Sequence, residues 1–228
     1  MIILQSPQFT TQDDCGHGDG IAPTPQWLEA AKHPEEPTPH FLDTSGLNPA
    51  ISDMFCRLRI LLHTPKYFSL STTDFHDLTC FVLHRLLDQT NDSALCNGSH
   101  ATTVSESLRY ATALYMLMTH GPTYFSHAGL QYTMTLQLKF HLDRCLDLIL
   151  CSKTSLAIWL LSVGMVASTG TSDYHWFLAQ AKRIASTLNV QTWENVLSSL
   201  KEVLWVEKQQ METTYRQSWA SVWAPTKT

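Results

Sequence analysis

From Leu156 onward the apolar residues fall at helical spacing in three successive segments. The first, residues 156–168, is apolar almost throughout. In the second, Tyr174, Phe177, Leu178, Ala181, Ile184, Ala185 and Leu188 recur at i, i+3, i+4, i+7, i+10, i+11 and i+14. In the third, Trp193, Val196, Leu197, Leu200, Val203 and Leu204 repeat the same stripe as far as Trp205. Each stripe has to be covered by another element, so the three helices are expected to pack together as a buried core.

The upstream chain reads as further helices with start and stop signals. Asn48 is a good N-cap and Pro49 suits the first helical position, which predicts a helix to about His63, where Thr64 and Pro65 stop it. Ser71 with Asp74 approximates a capping box for a helix carrying Phe75, Leu78, Val82 and Leu86 on one face to about Gln89. After a polar loop from Asn91 to His100, Thr103 and Glu106 form a second capping box. The helix behind it is apolar all round over residues 110–118, which predicts the central helix of the array. Gly121 and Pro122 end it. Helices from about Phe125 to Leu150, from Lys153 to about Ser168, and from Met211 to Val222 complete the reading.

The expected fold is therefore all-α, an irregular array of about eight helices with a loose N-terminal arm. Residues 1–47 form the arm, 48–223 the helical domain and 224–228 a tail. Pro23, Pro25, Pro34, Pro37 and Pro39 interrupt any long helix in the arm, and residues 13–20 are too glycine-rich to form an element alone. A short amphipathic turn from Gln26 to Lys32 is placed to dock Trp27 and Leu28 on the body.

The packing residues also carry a resemblance. Trp159, Leu160, Leu161 and Gly164, then Trp176 and Phe177, then Trp193, Glu194, Val196, Leu200, Lys201, Leu204 and Trp205 resemble the C-terminal part of the fungal-specific transcription factor domain. That is the all-helical regulatory region found downstream of zinc-cluster DNA-binding domains. Phe55, Cys56, Arg57 and Leu58, and Leu108, Arg109, Tyr110 and Ala111, are similar to its earlier helices. The resemblance spans residues 51–223 and is shorter at its N-terminal side than that domain, which implies a truncated or reduced copy. It implies a scaffold and a regulatory role, in fungal specialised metabolism, and carries no catalytic residues across.

Charge and cysteine placement decide what such a regulator lacks. Residues 1–53 hold eight acidic side chains against one basic one, Lys32, and the remainder is nearly balanced. Nothing builds the positive stripe that neutralises phosphates, so direct nucleic-acid binding is not expected. Cys15, Cys56, Cys80, Cys96, Cys145 and Cys151 are scattered singly, with no C-x-x-C pair, so no zinc-cluster module is encoded here. Thiols among apolar helix residues suit a reducing, intracellular setting, nuclear or cytoplasmic. No basic n-region precedes the short apolar start at Ile2, so secretion is not expected. The uncharged run from Thr154 to Ser172 contains Ser155, Ser162, Gly164 and Ser168 and reads as a buried helix rather than a membrane span.

Candidate chemistry is sparse. No G-x-S-x-G, H-E-x-x-H, P-loop or dinucleotide fingerprint occurs, and no cofactor or metal is expected. The residues 13–20 fit no closed zinc pattern, and Asp143 with Asp147 lacks a second acidic motif to hold magnesium. His76, His84, His120, His127, His141 and His175 lie in or beside helices, and His76 and His84 are near enough in helical phase to share a face. The catalytic candidates are His76, His120 and Tyr115. An apolar pocket for a hydrophobic small molecule is expected among Tyr110, Tyr115, Met118, Tyr124, Phe125, Trp159 and Met165. Three functions compete. One is a regulator without its own DNA-binding domain, acting through a protein partner or a sensed small molecule, with homodimers allowed. The second is a cofactor-independent cyclase or isomerase on the same scaffold. The third is an inert relic or an oligomerisation module.

Overall fold

The computed structural model describes residues 22–32, 47–63, 70–88, 100–120 and 127–225. Tyr124, Phe125, the glycine-rich run at 13–20, the loop at 91–99 and most of the acidic arm lie outside the described residues. Nine helices and no strand are present among the described residues: α1 (Pro25–Ala30), α2 (Pro49–His63), α3 (Thr72–Asp88), α4 (His100–His120), α5 (Ala128–Ser152), α6 (Thr154–Ala167), α7 (Tyr174–Leu188), α8 (Trp193–Val203) and α9 (Gln209–Trp223). The fold is all-α, as the spacing predicts.

Local chemistry accounts for several helix ends. Asn48 Oδ1 accepts the Ala50 N–H at 2.9 Å and starts α2. The Ser71/Asp74 box forms in both directions, with Ser71 N–H to Asp74 Oδ2 at 3.1 Å and Asp74 N–H to Ser71 Oγ at 3.1 Å. Thr192 Oγ1 takes the Asn195 N–H at 3.3 Å and opens α8. Asn189, at φ 55°, closes α7 in the left-handed region that Asn tolerates.

Two expectations about helix ends are corrected. α4 begins at His100, so Thr103 and Glu106 are interior residues, not a cap. Thr103 O accepts the Ser107 hydroxyl at 2.9 Å, and Glu106 pairs with buried Arg109 instead of reaching back to a helix terminus. An i,i+3 ion pair inside a helix has the same spacing as a capping box. The third stripe also stops early: α8 ends at Val203, and Leu204 is already extended at φ −160° and ψ 117°.

The centre of the array is α6, not α4. Eleven of the fourteen residues of α6 are buried, and α4, α5, α7, α8 and α9 all pack on it. α4 lies against it and against α3 and α5, which accounts for its own all-round apolarity. At Gly164 a Cβ would overlap the Phe177 ring, so the missing side chain sets how closely α6 and α7 approach. No helix among the described residues is long and apolar enough to cross a membrane. At the N-terminal side, α1 is capped by Thr24, whose Oγ1 accepts the Trp27 N–H at 3.3 Å. Trp27 is buried edge-on against Phe81 at 5.2 Å. Its neighbour Leu28 stays exposed rather than docked.

Between α8 and α9 the chain crosses the bundle extended, and its backbone groups are satisfied by side chains from three helices. Arg59 of α2 donates to Glu202 O and Val203 O. Trp159 Nε1–H of α6 donates to Leu204 O at 2.7 Å. His63 Nε2 accepts the Trp205 N–H at 3.1 Å. Tyr115 Oη of α4 accepts the Val206 N–H at 2.8 Å. A buried extended segment without a sheet partner needs such substitutes, because each orphaned buried amide group costs about 1–3 kcal/mol. Three residues of the family-like pattern, Trp159, Leu204 and Trp205, thus meet in one hydrogen-bonded crossing.

Candidate functional site

A half-open cavity of about 160 Å³ lies beside this crossing. Leu61 and Leu62 come from the end of α2, Leu70, Ser71, Thr72 and Phe75 from the start of α3, and His120 from the end of α4. Val206 and Lys208 of the crossing line a further side. The walls are mainly apolar, with the polar groups at the rim. An engineered apolar cavity of similar size, about 150 Å³, holds one benzene ring, so this space suits a ligand of about that bulk.

The rim carries charge and imidazole. Much of Lys208 faces solvent, but its ammonium is tucked in, donating to Thr119 O at 3.0 Å and lying 4.7 Å from the Phe75 ring centroid. Partial burial of that end lowers its pKa from the usual lysine value. The His120 ring stacks on Phe75 at 6.1 Å, and its Nε2 lies 3.1 Å from Nδ1 of His76. Cys80 Sγ is 3.6 Å from Nε2 of the same His76. Burial and the Asp77 charge push the Cys80 thiol up, away from thiolate character. Among the described residues no group of three or more His, Cys, Asp or Glu side chains could hold a metal ion.

The structure therefore brings together two of the three catalytic candidates, His76 and His120. It does not pair His76 with His84, which sits about 12 Å further along α3 and is buried. Tyr115 stands apart from both: its ring is fully buried against Trp159 at 5.6 Å and its hydroxyl is held by the crossing. Burial pushes that hydroxyl far above the ordinary tyrosine range, so it serves as a fixed neutral group.

The described residues expected to line an apolar pocket stand apart from this cavity. Trp159, Met165 and Tyr115 are fully buried packing residues and line neither described cavity. Met118 packs against the core from the surface side. Tyr110 faces α5, stacked on His141 at 5.7 Å with the Arg109 guanidinium 4.2 Å from its ring centroid. Burial raises the Tyr110 pKa and lowers that of His141. Asp147 is taken by Arg183 at 2.7 Å. A second, shallower groove of about 390 Å³ runs between α5 and α7 past Phe140, Arg144 and Trp176.

Apart from His120, the residues that line this cavity were not singled out as site residues by the pattern. Leu61, Leu62, Leu70 and Val206 look like any core positions. Lys208 carries one local hint, a cation two residues beyond the buried run of Val203, Leu204, Trp205 and Val206. Comparison with protein-family models, with curated proteins and with solved structures finds no match to this chain.

Proposed function

We propose that this chain is a regulatory domain of the transcription-factor type, without a DNA-binding module of its own, that senses a small molecule. One observation carries the reading. The half-open cavity is built from four separate chain segments, the ends of α2 and α4, the start of α3, and the crossing before α9. A molecule filling it contacts all four at once and favours the packing in which they are together. Of the other helices, α4 is the one against which α3 packs most extensively, so a molecule at the junction of the two bears directly on how α3 is held. A partner protein reading that change has apolar surface available on α5, where Tyr132, Phe140 and Leu148 are exposed. The packing residues that resemble the fungal-specific domain agree with this role.

The test is a reporter assay with the full chain fused to a heterologous DNA-binding domain. The reading predicts transcription that departs from the unfused control and responds to added metabolite extract. Leu70→Trp, which fills the cavity from its rim, is expected to abolish the response while leaving the protein folded. An output indifferent to both extract and Leu70→Trp contradicts the sensing role.

A second reading has its own observation, the 3.1 Å contact between His76 Nδ1 and Nε2 of the cavity-lining His120. Two imidazoles at hydrogen-bond distance can pass a proton between them, which is the equipment of an isomerase or cyclase without cofactor. Turnover of a supplied substrate, lost in both His76→Gln and His120→Gln, would favour this reading over the regulator.

A further inference from the structure

Lys208 narrows what the cavity binds. Its ammonium has three N–H donors, and one of them goes to Thr119 O at 3.0 Å. No carboxylate among the described residues pairs with it, although the chain as a whole carries a net charge of −5. The ammonium lies over Phe75, a cavity wall, and no acceptor among the described residues takes its remaining donors. Beyond it the lining turns apolar, through Leu61, Leu62, Leu70 and Val206. The space is about 160 Å³, comparable with one six-membered ring.

We infer that the ligand is a small monocarboxylate with a single apolar ring or a short branched chain, its carboxylate on the Lys208 ammonium and its apolar body against Leu61, Leu62 and Val206. A neutral ligand of the same shape leaves the ammonium without a counter-charge. A phosphate carries about −1.5 to −2 at neutral pH, more than one lysine balances, and its bidentate recognition favours the forked guanidinium of arginine. The apolar end supplies binding through area removed from water, and the charge-assisted hydrogen bond supplies the choice between acid and neutral isostere. The inference rests on the cavity being the sensing site.

The experiment compares benzoate with benzamide, and acetate as the anion without a ring, by thermal shift and by amide chemical shifts of the wild-type protein. Benzoate is expected to bind about tenfold more tightly than benzamide, the difference one charge-assisted hydrogen bond makes, with acetate ineffective. Lys208→Met is expected to reduce benzoate to the level of benzamide and leave benzamide unchanged, while Lys208→Arg keeps the preference. Benzamide equal to benzoate in the wild type overturns the carboxylate class and leaves the cavity reading standing. Benzoate binding undiminished in Lys208→Met also overturns the class. No saturable shift with either ring compound overturns both. If Lys208→Met does not fold, the wild-type amide shifts decide: benzoate is expected to move Phe75, Val206 and Lys208, and shifts confined to other residues contradict the assignment.

Discussion

The crossing before α9 makes a sharp stability prediction at Trp159. Trp159→Phe keeps an aromatic ring between Phe55, at 5.8 Å, and Tyr115, at 5.6 Å, but removes the indole N–H that donates to Leu204 O at 2.7 Å. The buried Leu204 carbonyl then loses its partner, at a cost of about 1–3 kcal/mol. The smaller ring also leaves a void of about 40 Å³, which at about 24 cal/mol per Å³ adds about 1 kcal/mol. The expected loss is about 2–4 kcal/mol, a large share of the roughly 5–15 kcal/mol that holds a typical domain together. Urea unfolding measures it: the midpoint should fall while the slope stays constant. Tyr115→Phe is the companion, removing the acceptor of the Val206 N–H at 2.8 Å without opening a comparable void. It should cost about 1–3 kcal/mol. Because both side chains hold the same segment, the double variant should lose less than the sum of the two singles. A loss at Trp159 under about 1 kcal/mol, or strict additivity, would refute the idea that these side chains jointly stand in for a sheet partner.

Three further outcomes follow from the packing. Gly164→Ala sets a methyl into the Phe177 ring and should destabilise by about 1–3 kcal/mol, partly rescued by Phe177→Leu, as differential scanning calorimetry can check. Arg109→Ala leaves Glu106, about 9% exposed, with an uncompensated charge and should cost about 3–5 kcal/mol, whereas the paired change to Met and Leu should cost much less in chemical denaturation. His63 has its pKa lowered to about 4, first by burial and then by the Arg59 charge. The unfolded chain binds this proton near pH 6.5 and the folded chain does not until about pH 4. Stability from this group is therefore complete above about pH 6.5 and is lost as pH falls to about 4. The loss amounts to about 1–2 kcal/mol once partial exposure is allowed for. His63→Gln, which keeps an acceptor for Trp205 N–H without titrating, should flatten that part of the stability–pH curve.

What the sequence revealed divides by range. Asn48 before Pro49 and the Ser71/Asp74 box act within four residues, and each marks a real helix start. The stripes of α7 and α8 are likewise local and are found where the spacing puts them. The same local logic failed at Thr103 and Glu106, because an interior ion pair has the spacing of a cap. It failed again at Leu204, whose apolar phase continues the helix although Trp159, 45 residues away, holds its carbonyl in an extended crossing. The approach of His76 to His120 spans 44 positions, and nothing in either neighbourhood signals the other. Large aromatic residues drew attention to a pocket around Trp159 and Met165, yet large aromatics fill space most fully and so sit where no cavity remains.

Hydrogen exchange followed by mass spectrometry, with and without saturating benzoate, tests the central claim most directly. If occupancy of the cavity clamps α3 and the crossing to the ends of α2 and α4, exchange should slow in peptides covering residues 57–63, 72–80 and 204–208. The groove between α5 and α7 should be unaffected. Unchanged exchange in those three segments, or slowing confined to α5 and α7, contradicts the account.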